Sequence, residues 1–155
     1  MKKVEVRPGV LHYIKENGSI KKIEYYNENG VLHRENLPAY TLYQELYGCE
    51  DWCPYYIKTK KWYADGHITK EEHYNVEETI TKKYEYEGDI ICRTTYYYDN
   101  GNIKKVVYLN EDKQYHNSTA PAVILYHKDG SIMDQQYYYN GKKIANELQL
   151  LVLTN

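Results

Sequence analysis

Seven of the glycines in this 155-residue chain directly follow Asn, Asp or Glu: Gly18, Gly30, Gly66, Gly88, Gly101, Gly130 and Gly141. Four residues before each stands a large apolar or aromatic side chain, namely Ile14, Tyr26, Trp62, Tyr84, Tyr97, Tyr126 and Tyr137. Two residues after it comes an aliphatic one in six of the seven cases, Ile20, Leu32, Ile68, Ile90, Ile103 and Ile132. At the seventh, Lys143 takes the place and Ile144 follows one residue late. Self-similarity at this spacing marks a repeat architecture. A polar residue and Gly between two hydrophobic runs marks a β-hairpin.

The offsets select the kind of hairpin. With a three-residue loop ending on Gly, the residue four before Gly faces the residue two after it. With a two-residue loop it faces the residue three after. The apolar partner stands two after, so the spacing predicts a type I turn whose Gly is left-handed and forms a G1 bulge. A β-carbon disfavours that conformation, and Asn or Asp suits the place before it. The cross-strand pair then sets Tyr over Ile, a contact of ~0.2–1 kcal/mol. Repeated along the chain, this predicts an all-β fold: an elongated antiparallel meander of about seven stacked hairpins.

A longer motif overlies the first. Residues 26–43 align without gaps on residues 109–126 and are identical at Asn27/Asn110, Glu28/Glu111, His33/His116, Pro38/Pro121, Ala39/Ala122, Leu42/Leu125 and Tyr43/Tyr126. Pro8, Pro38 and Pro121 are each followed five residues later by Tyr. Pro cannot donate to a ladder, so these prolines are expected at strand starts or edges. The repeats cover about residues 6–43 and 62–144 of a single domain spanning residues 1–155. Residues 44–61 interrupt them, carrying Cys49, Cys53, Trp52, Tyr55, Tyr56 and Ile57, and are expected to form a longer connection covering the sheet, with a lid or a partner surface as the alternatives. Residues 145–155, rich in Leu, are expected to cap the last hairpin as a short helix or strand, as terminal repeats require, or to dock into another subunit.

Composition narrows the function. The chain has 21 Tyr, 2 Trp and no Phe, and Leu, Ile and Val together number 32. Tyr carries a hydroxyl that needs water or a partner, so this is the composition of a thin sheet wet on at least one side. It favours a binding or structural role over an enzyme. Tyr25-Tyr26, Tyr55-Tyr56, Tyr96-Tyr97-Tyr98 and Tyr137-Tyr138-Tyr139 put rings on both faces of their strands and are where a partner is expected to land. A net charge of -2 with no basic stripe gives no reason to expect nucleic acid, nor support for a membrane contact. No run approaches the ~20 apolar residues of a membrane span. The first residues hold no apolar signal segment. Three cysteines, sparse and odd in number, point to a reducing, cytoplasmic compartment.

No constellation of catalytic residues stands out. Cys49 and Cys53 with His67 or His73 could be read as metal ligands, but the spacing lacks the paired C-x-x-C or H-x-x-x-H arrangement of a zinc site. Free thiols, or a local Cys49–Cys53 disulfide, are the alternatives. His33 could serve as a general base and Arg34 as an anion ligand. The second copy reads His116-Asn117-Ser118, so neither the Arg nor the following acid recurs, and a turn-shaping role for the histidine is expected. No catalytic, cofactor or metal residue is therefore assigned. The charges of Lys70-Glu71-Glu72 and Thr81-Lys82-Lys83 are expected on solvent faces, blunting strand edges.

The stretch Tyr-x-x-Asn-Gly-x-Leu-His-Arg-Glu-x-x-Pro-Ala at residues 26–39 resembles the MORN-variant repeat. Residues 97–105, Tyr-x-x-Asn-Gly-x-Ile-Lys-Lys, and residues 14–22 look like the same element. The resemblance implies a twisted sheet of stacked hairpins without an active site, of the sort found in large DNA viruses and in bacteria. It implies a scaffold for protein–protein interaction or assembly, such as a virion structural component. It also implies two rivals, an antitoxin-like neutralising partner and an acidic-phospholipid-binding module.

Overall fold

The computed structural model describes residues 1–45 and 55–146. Cys49, Cys53, Trp52 and most of the expected C-terminal cap lie outside the described residues. The fold is an all-β antiparallel meander, with no helix among the described residues. The chain divides into two compact units, Met1–Ile80 and Thr81–Asn155. The first holds β1 (Lys2–Arg7), β2 (Val10–Ile14), β3 (Ile20–Tyr25), β4 (Tyr40–Glu45), β5 (Tyr55–Ala64) and β6 (His67–Tyr74). The second holds β7 (Ile80–Glu87, starting on the last residue of the first unit), β8 (Ile90–Tyr97), β9 (Ile103–Tyr108), β10 (Val123–Tyr126), β11 (Ile132–Tyr139) and β12 (Lys142–Ile144). Within each unit every strand pairs antiparallel with its neighbours in sequence.

Four hairpins have the expected loop. Ile14 faces Ile20, Tyr26 faces Leu32, Tyr97 faces Ile103 and Tyr126 faces Ile132. Each closes with the Gly N–H donating to the carbonyl three residues back, as Gly101 does to Tyr98 at 2.9 Å. Gly101 sits at φ +83° with open space where a β-carbon would go, so its requirement is conformational and not steric.

Three hairpins correct the expectation. At Asp65-Gly66, Gly88-Asp89 and Asn140-Gly141 both residues have positive φ. Pairing closes tightly around them, as Ala64–His67, Glu87–Ile90 and Tyr139–Lys142. These are two-residue loops of the type I′ kind, whose twist matches that of the flanking strands. A register shift then follows each of the first two turns, at Trp62/Tyr63 and at Glu85/Tyr86, so that Trp62 faces Lys70 and Tyr84 faces Thr94, instead of Ile68 and Ile90. Tyr137 meets Ile144, which explains why that isoleucine comes one place late.

Two further turns share the three-residue geometry without glycine. Glu78 (φ 56°) and Lys113 (φ 61°) hold the left-handed place, and their N–H groups donate to Asn75 and Asn110. Each Asn side chain accepts from the turn's far end, at Thr79 and Gln114. Residues 55–61 of the expected insertion belong to β5, where Ile57 pairs with Tyr43 and Tyr56 with Gln44. Most buried side chains are small, among them Val10, Ala39, Thr41 and Thr59 in the first unit and Val106, Val107, Ala122 and Val123 in the second; Glu24 and Ile144 are the larger exceptions among the described residues.

Candidate functional site

The two copies of the long motif fold alike. His33 N–H donates to Tyr25 and His116 N–H to Tyr108, both at 3.1 Å. Each loop then meets the tip of a later hairpin. The Asp65 N–H donates to His33 Nδ1 and the Asn140 N–H to His116 Nδ1, again at 3.1 Å. Gly66 and Gly141 donate to Leu32 and Tyr115 alongside. Asn27 and Asn110 complete the dock on the side chains of Asp65 and Asn140. The histidine is thus an acceptor for a type I′ turn, in one copy beside a carboxylate and in the other beside an amide. Arg34 donates to the Pro38 carbonyl and stacks over Tyr25 at 3.9 Å, and Asn117 makes the same bond to Pro121. His33 and Arg34 are both engaged in holding this loop.

A different set of residues converges on one face of the first unit. The register places Lys22 beside Tyr13, then Glu24, Tyr40, Lys61 and Glu71 in one row across β3 to β6. Glu24 is only 6% exposed. Lys22 Nζ lies 2.7 Å from one of its oxygens, and the Tyr26 hydroxyl donates to the other at 2.8 Å. Lys22 also sits 3.8 Å over the Tyr13 ring and 5.6 Å from that of Tyr40, with Lys61 on Tyr40 at 5.8 Å. Lys61 continues to Glu71 at 3.2 Å, and Glu71 to His73 at 2.9 Å. The result is a lattice of alternating cations, carboxylates and rings.

Its electrostatics are self-consistent. Burial opposes ionisation of Glu24, but hydrogen bonds from Lys22, Tyr13 and Tyr26 outweigh it and hold the carboxyl below the usual range. Conversely, burial and the bond to Glu24 push the Tyr26 hydroxyl far up, and burial raises Tyr40. Both hydroxyls therefore stay neutral, that of Tyr26 donating to Glu24. The Lys70-Glu71-Glu72 stretch corrects the solvent-face expectation. The Glu71 and Glu72 side chains are 12% and 15% exposed, because Lys61 and His73 flank the first while Lys70 and the Tyr74 hydroxyl flank the second. Lys82 of the other charged run lies between Tyr84 and Tyr96, whose hydroxyls raise its pKa.

The second unit shows what this lattice is not needed for. The motif alignment that matches His33 with His116 puts Val107, Leu109 and Val123 where the first unit has Glu24, Tyr26 and Tyr40. Val107 pairs with Val123 as Glu24 pairs with Tyr40. The same strand geometry is thus built once with buried valines and once with a buried carboxylate and tyrosines. The lattice was missed in the sequence although a signal existed: Lys, Glu and Tyr at four, six and eight residues after Gly18 and again after Gly66.

Among the described residues no group of three or more His, Cys, Asp or Glu could hold a metal ion. His67 lies at the start of β6 opposite Ala64, apart from the Glu71–His73 pair. Cys92 is a free, half-buried thiol on β8, donating to the Glu85 carbonyl, and burial raises its pKa. No helix among the described residues is long and apolar enough to cross a membrane.

No family model matches the chain, and no curated protein sequence does. Among solved structures it is similar to TarM, both in that protein's crystal structure and in that of an S. aureus TarM mutant in complex with Fondaparinux, alpha-GlcNAc-glycerol and UDP. In each the identity is 13% and the TM-score 0.45, over 73% of this chain and 20% of the other. It is also similar to a chain of the GtfA/B complex bound to UDP and GlcNAc, at 15% identity and a TM-score of 0.38, over 97% of this chain and 27% of the other. The chain thus spans 20–27% of the length of these structures.

Proposed function

We propose that the chain is a non-enzymatic hairpin-repeat scaffold of the MORN-variant type, which binds other proteins within an assembly such as a virus particle. Its contact face is the lattice of Tyr13, Lys22, Glu24, Tyr40 and Lys61. One observation carries this reading. The matching place in the second unit is filled by Val107 and Val123, so folding alone does not call for the buried carboxylate and its tyrosines. Half-buried tyrosines held in fixed orientation by cations offer large contact area at small entropic cost, the property that enriches Tyr at protein interfaces.

The test is photo-crosslinking in cells that make the protein naturally. A photoreactive phenylalanine analogue at Tyr40 is compared with the same analogue at His12, which pairs with Ile23 on the opposite face. A protein adduct of one defined mass from position 40 and none from position 12 supports the proposal. The same adducts from both positions, or none from either, overturn it. So does salt-sensitive flotation with anionic liposomes, which assigns the face to lipid.

A further inference from the structure

Each motif loop holds the hairpin tip docked on it through a bond to a histidine nitrogen that can be protonated. The Asp65 N–H donates to His33 Nδ1 and the Asn140 N–H to His116 Nδ1, both at 3.1 Å. An imidazole that accepts at Nδ1 is neutral and carries its proton on Nε2. A second proton turns Nδ1 from acceptor into donor and sets it against the turn N–H. What takes that proton differs between the copies. Asp65 places Oδ1 3.2 Å from His33 Nδ1, so the charged ring exchanges a neutral bond for an ion pair with the same residue. The second tip offers only the neutral amide oxygen of Asn140. Each of these side-chain oxygens also accepts from its loop, from Asn27 and from Asn110, so at this place the two docks differ only in charge.

The other charged and titratable groups around the two rings are closely matched. A groove of about 490 Å³ beside His33 holds Arg34, the exposed Glu35 and Tyr63. One of about 440 Å³ beside His116 holds Arg93, the exposed Glu87 and Tyr108, with Cys92 and with Glu85, which pairs with Arg93 and Lys83. Tyr139 stacks on the His116 ring at 5.0 Å. His67 and Lys142 follow the two turn glycines and are exposed. Among the described residues no carboxylate forms an ion pair with His116, as Asp65 does with His33. We propose that the two docks form an acid-sensitive latch of unequal strength. As the histidines charge, the β11–β12 tip leaves the second motif loop, while the β5–β6 tip stays on the first through the His33–Asp65 ion pair. The sign follows from the bond itself. Acceptance by a neutral nitrogen contributes in full while the ring is uncharged and is lost as pH falls, and only the first copy replaces it. The latch is independent of the tyrosine–lysine contact face, so either can fail without the other.

The readout is the pair of amides at Gly66 and Gly141, which donate to Leu32 and Tyr115 at 3.0 and 2.9 Å and report docking without touching either ring. Hydrogen exchange of the full chain is followed by NMR at about pH 7.5 and about pH 5, each rate referred to that of the unfolded chain at the same pH. Protection of Gly141 is expected to fall at least fivefold, and that of Gly66 less than about twofold. Exchanging the two side chains should transfer the behaviour. Asn140→Asp keeps Gly141 protected at the lower pH, and Asp65→Asn makes Gly66 acid-labile. His116→Asn supplies an acceptor that does not titrate and should abolish the acid response of Gly141. Should a variant misfold, the comparison of the two glycines in the unaltered chain still decides. Equal loss at both glycines, no loss at Gly141, or an acid loss that persists in His116→Asn overturns the proposal. So does an equal fall in protection throughout β9 and β10, since the second unit would then be unfolding as a whole instead of releasing one tip.

Discussion

A carboxylate as buried as Glu24 stays charged only if the protein supplies what water would have given. Lys22 and the hydroxyls of Tyr13 and Tyr26 do so, and they hold its pKa below the ordinary value. A depressed carboxyl pKa contributes stability that is complete above the unfolded-state value, near 4.3, and is lost as pH falls through the folded-state value. Replacing Glu24 with Gln keeps the shape and removes the charge. Wild type is therefore expected to exceed Glu24→Gln by roughly 1–2 kcal/mol at pH 6, with the gap closing toward pH 3. Urea unfolding at the two pH values measures it, and a gap that persists unchanged at pH 3 would show that the ionised form does not carry the effect. Nothing at residue 24 announces this in the sequence. Lys22-Ile23-Glu24-Tyr25-Tyr26 has the alternation of any half-wet strand, and the burial comes from Tyr13 and Tyr40 on flanking strands. His33 and His116 were legible as structural because they recur, yet their partners, the turn amides of Asp65 and Asn140, lie 32 and 24 residues away.

At the scale of the element, the hairpins were readable because the information is local. The Gly offsets give the right facing pairs wherever the loop has three residues, and the late Ile144 marks a loop of two. The misses are local as well. Trp62 and Tyr84 obey the same offsets, but Asp65 and Asp89 tolerate positive φ and let a tighter turn form. Glu78 and Lys113 went unread because a left-handed place without glycine carries no punctuation; their anchoring Asn75 and Asn110 were the available signal. These two places bear a conformational cost that glycine removes. Lys113→Gly is expected to raise stability by about 1 kcal/mol, and Gly101→Val to lower it by about 2 kcal/mol, since a β-branched residue is worst suited to φ +83°. Denaturant midpoints of the two variants decide the matter. A destabilised Lys113→Gly would mean that the lysine side chain contributes more than its backbone costs.

At the largest scale, the consequence of the meander is that within each unit strand pairing runs only from neighbour to neighbour, with loop contacts such as Asp65 on His33 reaching one hairpin further. Each strand within a unit meets the strands before and after it in sequence, and buried residues such as Ala39, Thr41, Val106 and Val123 are small. No thick core ties distant hairpins together inside a unit, so stability should behave as a sum of hairpin and nearest-neighbour terms. A destabilised turn then opens its own strands without unfolding remote ones, a sub-global event that native-state hydrogen exchange resolves. Gly18→Val is expected to speed exchange at the amides of β2 and β3 at least tenfold while leaving those of β10 and β11 within about twofold of wild type, and Gly130→Val the reverse, since each turn penalty exceeds about 1.4 kcal/mol. Uniform acceleration of all amides in both variants would show that the chain opens as one cooperative body, with coupling that the strand pairing does not provide.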